Sequence, residues 1–136
     1  MDMRHVHPFL EAMDNKRSDV LTKHLSTDVV LYSPFVVEPF VGREAVHAVL
    51  AVLLSAVDEF TTTAIIADEN RAAIILRIRV GDVQVTGVDD MSIDGDGLIC
   101  RMSVQWRPLA NIVAIQQKLA PLIGVPSLIL VEKQLG

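Results

Sequence analysis

The residues best placed to do chemistry lie in Val85–Asp94, VTGVDDMSID. In a strand, Val85, Gly87, Asp89, Met91 and Ile93 face one way, and Thr86, Val88, Asp90, Ser92 and Asp94 face the other. One carboxyl, Asp89, thus falls on an otherwise apolar face. Ionising it there is costly, so its proton is held more tightly than in water. A neutral carboxylic acid donates a hydrogen bond to a ligand carbonyl, whereas an ionised one abstracts a proton or activates water. Two other readings stay open: Asp89 pairs with an arginine, or a bulge turns its strand outward. Asp90 reads as a solvated face residue. Tyr32 is the second candidate, because it is the only tyrosine and therefore the only phenol donor. Its plainer reading is a half-buried core tyrosine with its hydroxyl in water.

The other reactive side chains are less well placed. His5 and His7 stand two apart, with no carboxylate or cysteine at ligand spacing, so no metal and no cofactor are expected. His24 is read as reaching the edge of the core, and His47 as structural on the polar stripe of its helix. Cys100 is the single cysteine; it has no local base and is expected to be a small buried residue. Arg77, Arg79, Arg101 and Arg107 alternate along two strands with Gln105. They suit an anion site or, more simply, a polar outer face or dimer surface. Glu38 lies in a Pro-bracketed loop, within reach of a pocket mouth.

The whole chain limits the possibilities further. Its 136 residues make one domain, 51% hydrophobic and 21% charged, with a net charge of −5. The longest basic run is Lys16-Arg17, which argues against nucleic acid. The N-terminus lacks the apolar core of a signal peptide, and the longest oily stretch, residues 45–57, is too short for a bilayer. The expectation is a cytoplasmic protein with no membrane partner.

Periodicity supplies the elements that must hold Asp89 in place. Val6, Phe9, Leu10 and Met13 sit at helical spacing in residues 4–15. Ser18 is expected to cap a second short helix that buries Leu21 and Leu25. A strand follows Asp28 through Tyr32, and Pro34 and Pro39 bracket an irregular segment. Gly42-Arg-Glu opens the longest helix, with Val46, Val49, Leu50, Leu53, Leu54 and Val57 apolar; so oily a helix is expected to be buried on more than one side. Strands are expected over 60–67, 72–80, 83–93 and 98–107, joined by turn residues into an antiparallel meander. A last helix carries Ile112, Ile115, Leu119 and Leu122, capped by Asn111 and ended or kinked by Pro121. The tail 127–135 is apolar again. A curved sheet closed by helices makes a cone able to hold a cavity. Leu76, Ile78 and Val80, and Met102, Val104 and Trp106, share the oily face, while the arginines take the other.

Three segments together carry a family resemblance: HLSTDVVLYSP, VGREAV and VTGVDDMSIDGDGLICRMSVQWRP. In order and spacing they resemble the nuclear transport factor 2-like superfamily, in its SnoaL-like and ketosteroid-isomerase-like branch, over residues 5–108. The resemblance implies an α+β cone-shaped barrel of cystatin-like type. It would have a curved, mostly antiparallel sheet, three N-terminal and central helices, a C-terminal helix with its tail over 109–136, a deep apolar pocket, and a homodimer formed through the sheet face. It also implies an aspartic acid for acid–base work at Asp89, a catalytic base at the position of Ser33, and an oxyanion-hole tyrosine at the position of Phe9. Only the first has the required side chain. The side chains expected to line a small-molecule pocket are Phe9, Met13, Ser33, Phe35, Phe40, Leu50, Leu54, Leu76, Ile78, Met91, Met102, Val104 and Trp106. The partner is an apolar small molecule. An isomerase or cyclase using Asp89, with Tyr32 or a water, fits this pattern. A hydrolase like limonene-epoxide hydrolase would need a second inward carboxylate, where the last strand offers Val104 and Gln105. A non-catalytic binding protein and an assembly module remain as alternatives.

Overall fold

The computed structural model describes residues 2–135. Helix α1 (Val6–Asp14) leads into β1 (Leu25–Tyr32), the two-residue β2 (Phe40–Val41) and helix α2 (Arg43–Ala56). Four long strands follow, β3 (Glu59–Asp68), β4 (Arg71–Val80), β5 (Val83–Ile93) and β6 (Ile99–Arg107), and then helix α3 (Leu109–Ile123). The six strands form one curved sheet in the order β2-β1-β6-β5-β4-β3. The meander β3 to β6 is antiparallel, as its short turns require. β1 instead runs parallel to β6, with Leu31 beside Met102, so the sheet is mixed with one parallel pair.

The expected second N-terminal helix is not formed. Ser18–Val20 and Thr22–His24 are two 3₁₀ turns, and Ser18 caps neither. Leu21 is fully buried as expected, but Leu25 is buried as the first residue of β1. A stretch this short builds too few i→i−4 bonds to repay helix nucleation, and single turns satisfy its backbone.

One inner face of the sheet packs against the helices. Ile74, Leu76 and Ile78 of β4, and Val85 and Met91 of β5, are buried there with Phe9 and Met13 of α1. α2 buries only Val46, Leu50 and Leu54, a single stripe, while Val49 and Leu53 stay half-buried. The expectation of burial on more than one side is met in part: full burial is confined to that stripe, with Val49, Val52 and Leu53 partly covered beside it. α3 is capped by Pro108, and Asn111 spends its side-chain amide on the Gln84 carbonyl of β5, 2.7 Å away. The helix runs through Pro121 to Ile123 and ends on Gly124 in the left-handed region. Its Leu122 is exposed rather than inward. Beyond it the tail turns back along α3. The fully buried Gln116 holds it at both ends of its carboxamide, donating to the Pro126 carbonyl at 2.8 Å and accepting from the Leu128 amide at 2.9 Å. Ile129, Val131 and Leu135 remain exposed.

Candidate active site

β5 crosses the middle of the sheet with every odd residue inward, as its alternation demands: Val85, Asp89, Met91 and Ile93 are buried. Asp89 is aligned with Ile74 of β4 and Val104 of β6. Asp89 is 5% exposed, and its Oδ1 has no hydrogen-bond partner among the described residues. The arginines of β4 and β6 lie on the opposite face, and no bulge interrupts β5 near Asp89: the break in register falls farther on, between Ser92 and Ile93. Burial raises its pKa from 3.8 to about 7, because nothing nearby offsets the lost solvation of the carboxylate. At neutral pH both protonation states are thus populated, the condition under which one carboxyl can serve as acid or base.

Asp89 opens into a cavity of about 40 Å³ at the centre of the cone. The walls come from every layer: Met13 of α1, Leu31 of β1, Leu50 and Leu53 of α2, Phe60 of β3, Leu76 and Ile78 of β4, Met102, Val104 and Trp106 of β6, and Leu119 and Ile123 of α3. Ser33, Pro34 and Phe35 complete it after β1. Apart from Asp89, no lining residue is charged or titratable.

Trp106 is positioned by two features. Gly87 lies directly opposite it in the β5–β6 register, and any Cβ there would strike the Gln105 carbonyl and the indole Cδ1. The missing side chain is what lets the indole lie against the strand. Phe35 then meets the indole edge-on, with centroids 5.3 Å apart and planes at 81°. The indole Nε1 is buried and, like Asp89 Oδ1, has no partner among the described residues. The Ser33 hydroxyl oxygen accepts from the Phe35 amide at 3.2 Å, which tightens the turn that presents both residues.

Of the expected lining residues, Met13, Ser33, Phe35, Leu50, Leu76, Ile78, Met102, Val104 and Trp106 meet at this cavity with Asp89. Phe9, Leu54 and Met91 are buried in the core outside its wall, and Phe40 is half-buried in a shallow dent between α2 and α3. Tyr32 is not brought to the cavity. Leu31 points inward, so its neighbour points out; Tyr32 is 38% exposed and the Arg101 guanidinium lies 5.1 Å from its ring centre. Asp89 therefore has no phenol beside it. Leu31, Pro34, Val49, Val52, Leu53, Phe60, Leu119 and Ile123 line the cavity beyond the residues expected from the sequence. Helical spacing marked Leu53 and Leu119 as apolar, but only the packing of α2 and α3 over the cone decides that they line it.

The remaining candidates are held elsewhere. His24 is buried and its Nδ1 lies 3.0 Å from that of His5, with desolvation lowering its pKa. The His47 Nε2–H donates to the Ser18 carbonyl at 2.8 Å. Cys100 is half-buried at the irregular end of β6, with its thiol pKa pushed up by burial. Glu38 is exposed and lies outside the cavity wall. On the outer face Asp90 is clasped by Arg71 at 2.6 Å and approached by Arg101 at 3.7 Å. Among the described residues no three His, Cys, Asp or Glu side chains converge as a metal site, and no helix is long and apolar enough to cross a membrane.

Comparison with known proteins gives this geometry a context. A steroid delta-isomerase from Pseudomonas aeruginosa superimposes with a TM-score of 0.76 at 24% identity, covering 88% of this chain and 86% of that one. A protein with a cystatin-like fold from Silicibacter pomeroyi does so at 0.77 and 23% identity, over 89% of each chain. A de novo designed protein with a curved β-sheet also matches, at 0.71 and 21% identity, over 90% of this chain and 99% of that one. Likeness at this level shows the fold and leaves the chemistry to the site. No relative of curated function matches by sequence. The sequence pattern of the SnoaL-like domain matches residues 6–102, from α1 through Met102 on the cavity wall, and the chain belongs to that family.

Proposed function

We propose that the cone binds a small apolar molecule and that Asp89 acts on it by proton transfer or hydrogen bonding, in isomerase- or cyclase-type chemistry. The observation that carries this is an unpartnered carboxyl, its pKa raised to about 7, as the single titratable group in an apolar cavity. An acid balanced near neutral pH gives up and regains a proton with little driving force lost in either direction. The isomerase-like neighbour supports the reaction class by analogy alone.

The test is a carbon-13 NMR titration of the Asp89 carboxyl. We expect a midpoint near 7. A midpoint near 4 would mean that the group is solvated in solution and would overturn the proposal.

A second reading, binding without turnover, rests on a specific observation. Ser33 lines the cavity where the resemblance calls for a carboxylate base, and Phe9 stands where it calls for a tyrosine. A ligand recovered chemically unchanged after long incubation with wild-type protein, bound equally well by Asp89→Asn, would favour that reading.

A further inference from the structure

Outside the cavity, His5 and His24 bring two ionisable nitrogens face to face. Their Nδ1 atoms lie 3.0 Å apart, with ring centroids at 5.3 Å and planes tilted by 55°. His24 is buried and His5 is half-buried. A neutral imidazole carries one N–H, so a bond between two Nδ1 atoms dictates unequal tautomers. One ring holds its hydrogen on Nδ1 and donates. The other holds it on Nε2 and accepts at a bare Nδ1.

The contact joins two separate places in the chain. His5 stands at the N-cap of α1, and its carbonyl accepts from the Phe9 amide at 3.0 Å. His24 closes the turn before β1, its amide donating to the Leu21 carbonyl at 3.1 Å. The pair thus ties the first turn of α1 to the entry of β1, and the number of protons decides whether it holds. A first added proton can go to Nε2 of the donor ring; the bond stays and becomes charge-assisted. A second must go to the acceptor's Nδ1, which sets two N–H groups and two positive charges against each other at 3.0 Å.

The surroundings do not relieve that conflict. Burial first, then the His5 charge and that of Lys23 on the same turn, lower the His24 pKa from 6.5. On α1, Glu11 lines the groove beside His24 and His7 is exposed. Arg17 lines the same groove and is paired with Asp19 at 2.8 Å. On α2, Arg43 donates to the Leu25 carbonyl at 3.1 Å, His47 donates to the Ser18 carbonyl at 2.8 Å, and Glu44 is exposed. Asp2 is held by Arg4 at 2.7 Å. Among the described residues no carboxylate forms an ion pair with either ring.

We propose that His5 and His24 form a two-proton latch: it stays closed with one added proton and opens with the second, freeing the first turn of α1 from the entry of β1 in mildly acid solution. The same helix carries Met13 of the cavity wall about two turns further on, so the latch sets the freedom of an element that shapes the cavity. The latch does not depend on what the cone binds. The sign follows from the lowered pKa: His24 in the opened form takes up a proton that the closed form refuses, so acid favours opening below 6.5.

Two measurements test it. Long-range proton–nitrogen NMR of the imidazoles at about pH 7.5 should show one Nδ1–H ring and one Nε2–H ring for His5 and His24. Native-state hydrogen exchange then reads the latch itself. Protection of the Phe9 amide should fall as pH drops below 6.5, approaching about tenfold per pH unit, the limit for one linked proton. The Leu76 amide, paired in the middle of β4, should not fall with it. His5→Gln keeps a polar side chain that cannot take up a charge, and it should abolish the fall. His24→Gln should do the same, and His5→Gln alone decides the matter if the buried replacement does not fold. Two Nε2–H rings near pH 7.5, Phe9 protection that stays constant from pH 7 to 5, or the same fall in His5→Gln would each overturn the latch.

Discussion

Asp89 and Asp90 are chain neighbours on one strand, and they have opposite fates. Asp89 points into the cone, has no partner at Oδ1, and has its pKa raised to about 7 by burial. Asp90 points out, forms a two-point hydrogen-bonded ion pair with Arg71 at 2.9 and 2.6 Å, and has its pKa lowered, chiefly by that bond. The residue type and backbone conformation are the same, so the difference comes from the face alone. The outer face carries the countercharges and the water. The inner face excludes both, and it keeps a carboxyl partly protonated at neutral pH by withholding what a stable carboxylate needs.

The largest expected effect tests the inner member of the pair. The native pKa of Asp89 lies above its unfolded value near 3.9, so the folded state binds more protons between those limits and stability falls as pH rises from about 4 to 7. The loss amounts to about 4 kcal/mol and levels off above 7. Asp89→Asn should remove this slope and exceed wild type in stability at pH 8, as urea unfolding across that range would show. Parallel pH curves for the two proteins would break the contrast between the faces.

A smaller effect tests the packing that gives the inner face its shape. Gly87→Ala places a methyl against the Gln105 carbonyl and the Trp106 indole, and should cost about 1–3 kcal/mol with a shift in tryptophan emission. An unperturbed spectrum with native stability would mean that the indole does not lie on Gly87. The smallest effect concerns the outer member. Asp90 contributes stability above its unfolded pKa and loses it as pH falls through the lower native value. With Arg71 largely exposed, Asp90→Asn should cost under about 1 kcal/mol at pH 7, measured by the same unfolding assay.

The inward placement of Asp89 could be read from the chain because strand alternation is local: Gly87, Met91 and Ile93 name its face without any knowledge of the partners. The same rule applied to β1 turns Tyr32 outward, since Val29 and Leu31 hold the buried positions, and being the sole phenol does not change its face. Other features were hidden because they are not local. The parallel pairing of β1 with β6 joins strands separated by the whole meander. The unpaired indole N–H of Trp106 depends on what lies across the sheet and after β1. A tryptophan opposite a glycine on the neighbouring strand was the available clue, and it becomes one only once the register is known. The two 3₁₀ turns at 18–24 show the opposite limit, where local propensity was weak and tertiary burial of Leu21 and Leu25 decided the path.

Leu119 and Ile123 belong to α3, which begins seven residues beyond the end of the segment shared with the family at Met102. The roof of the chamber thus comes from a helix and most of its walls from strands. Exchanging bulk at those two positions would redraw the space above Asp89 without touching a single strand register. Bulk at those two positions sets the headroom above Asp89, while the strand that carries the acid keeps its partners.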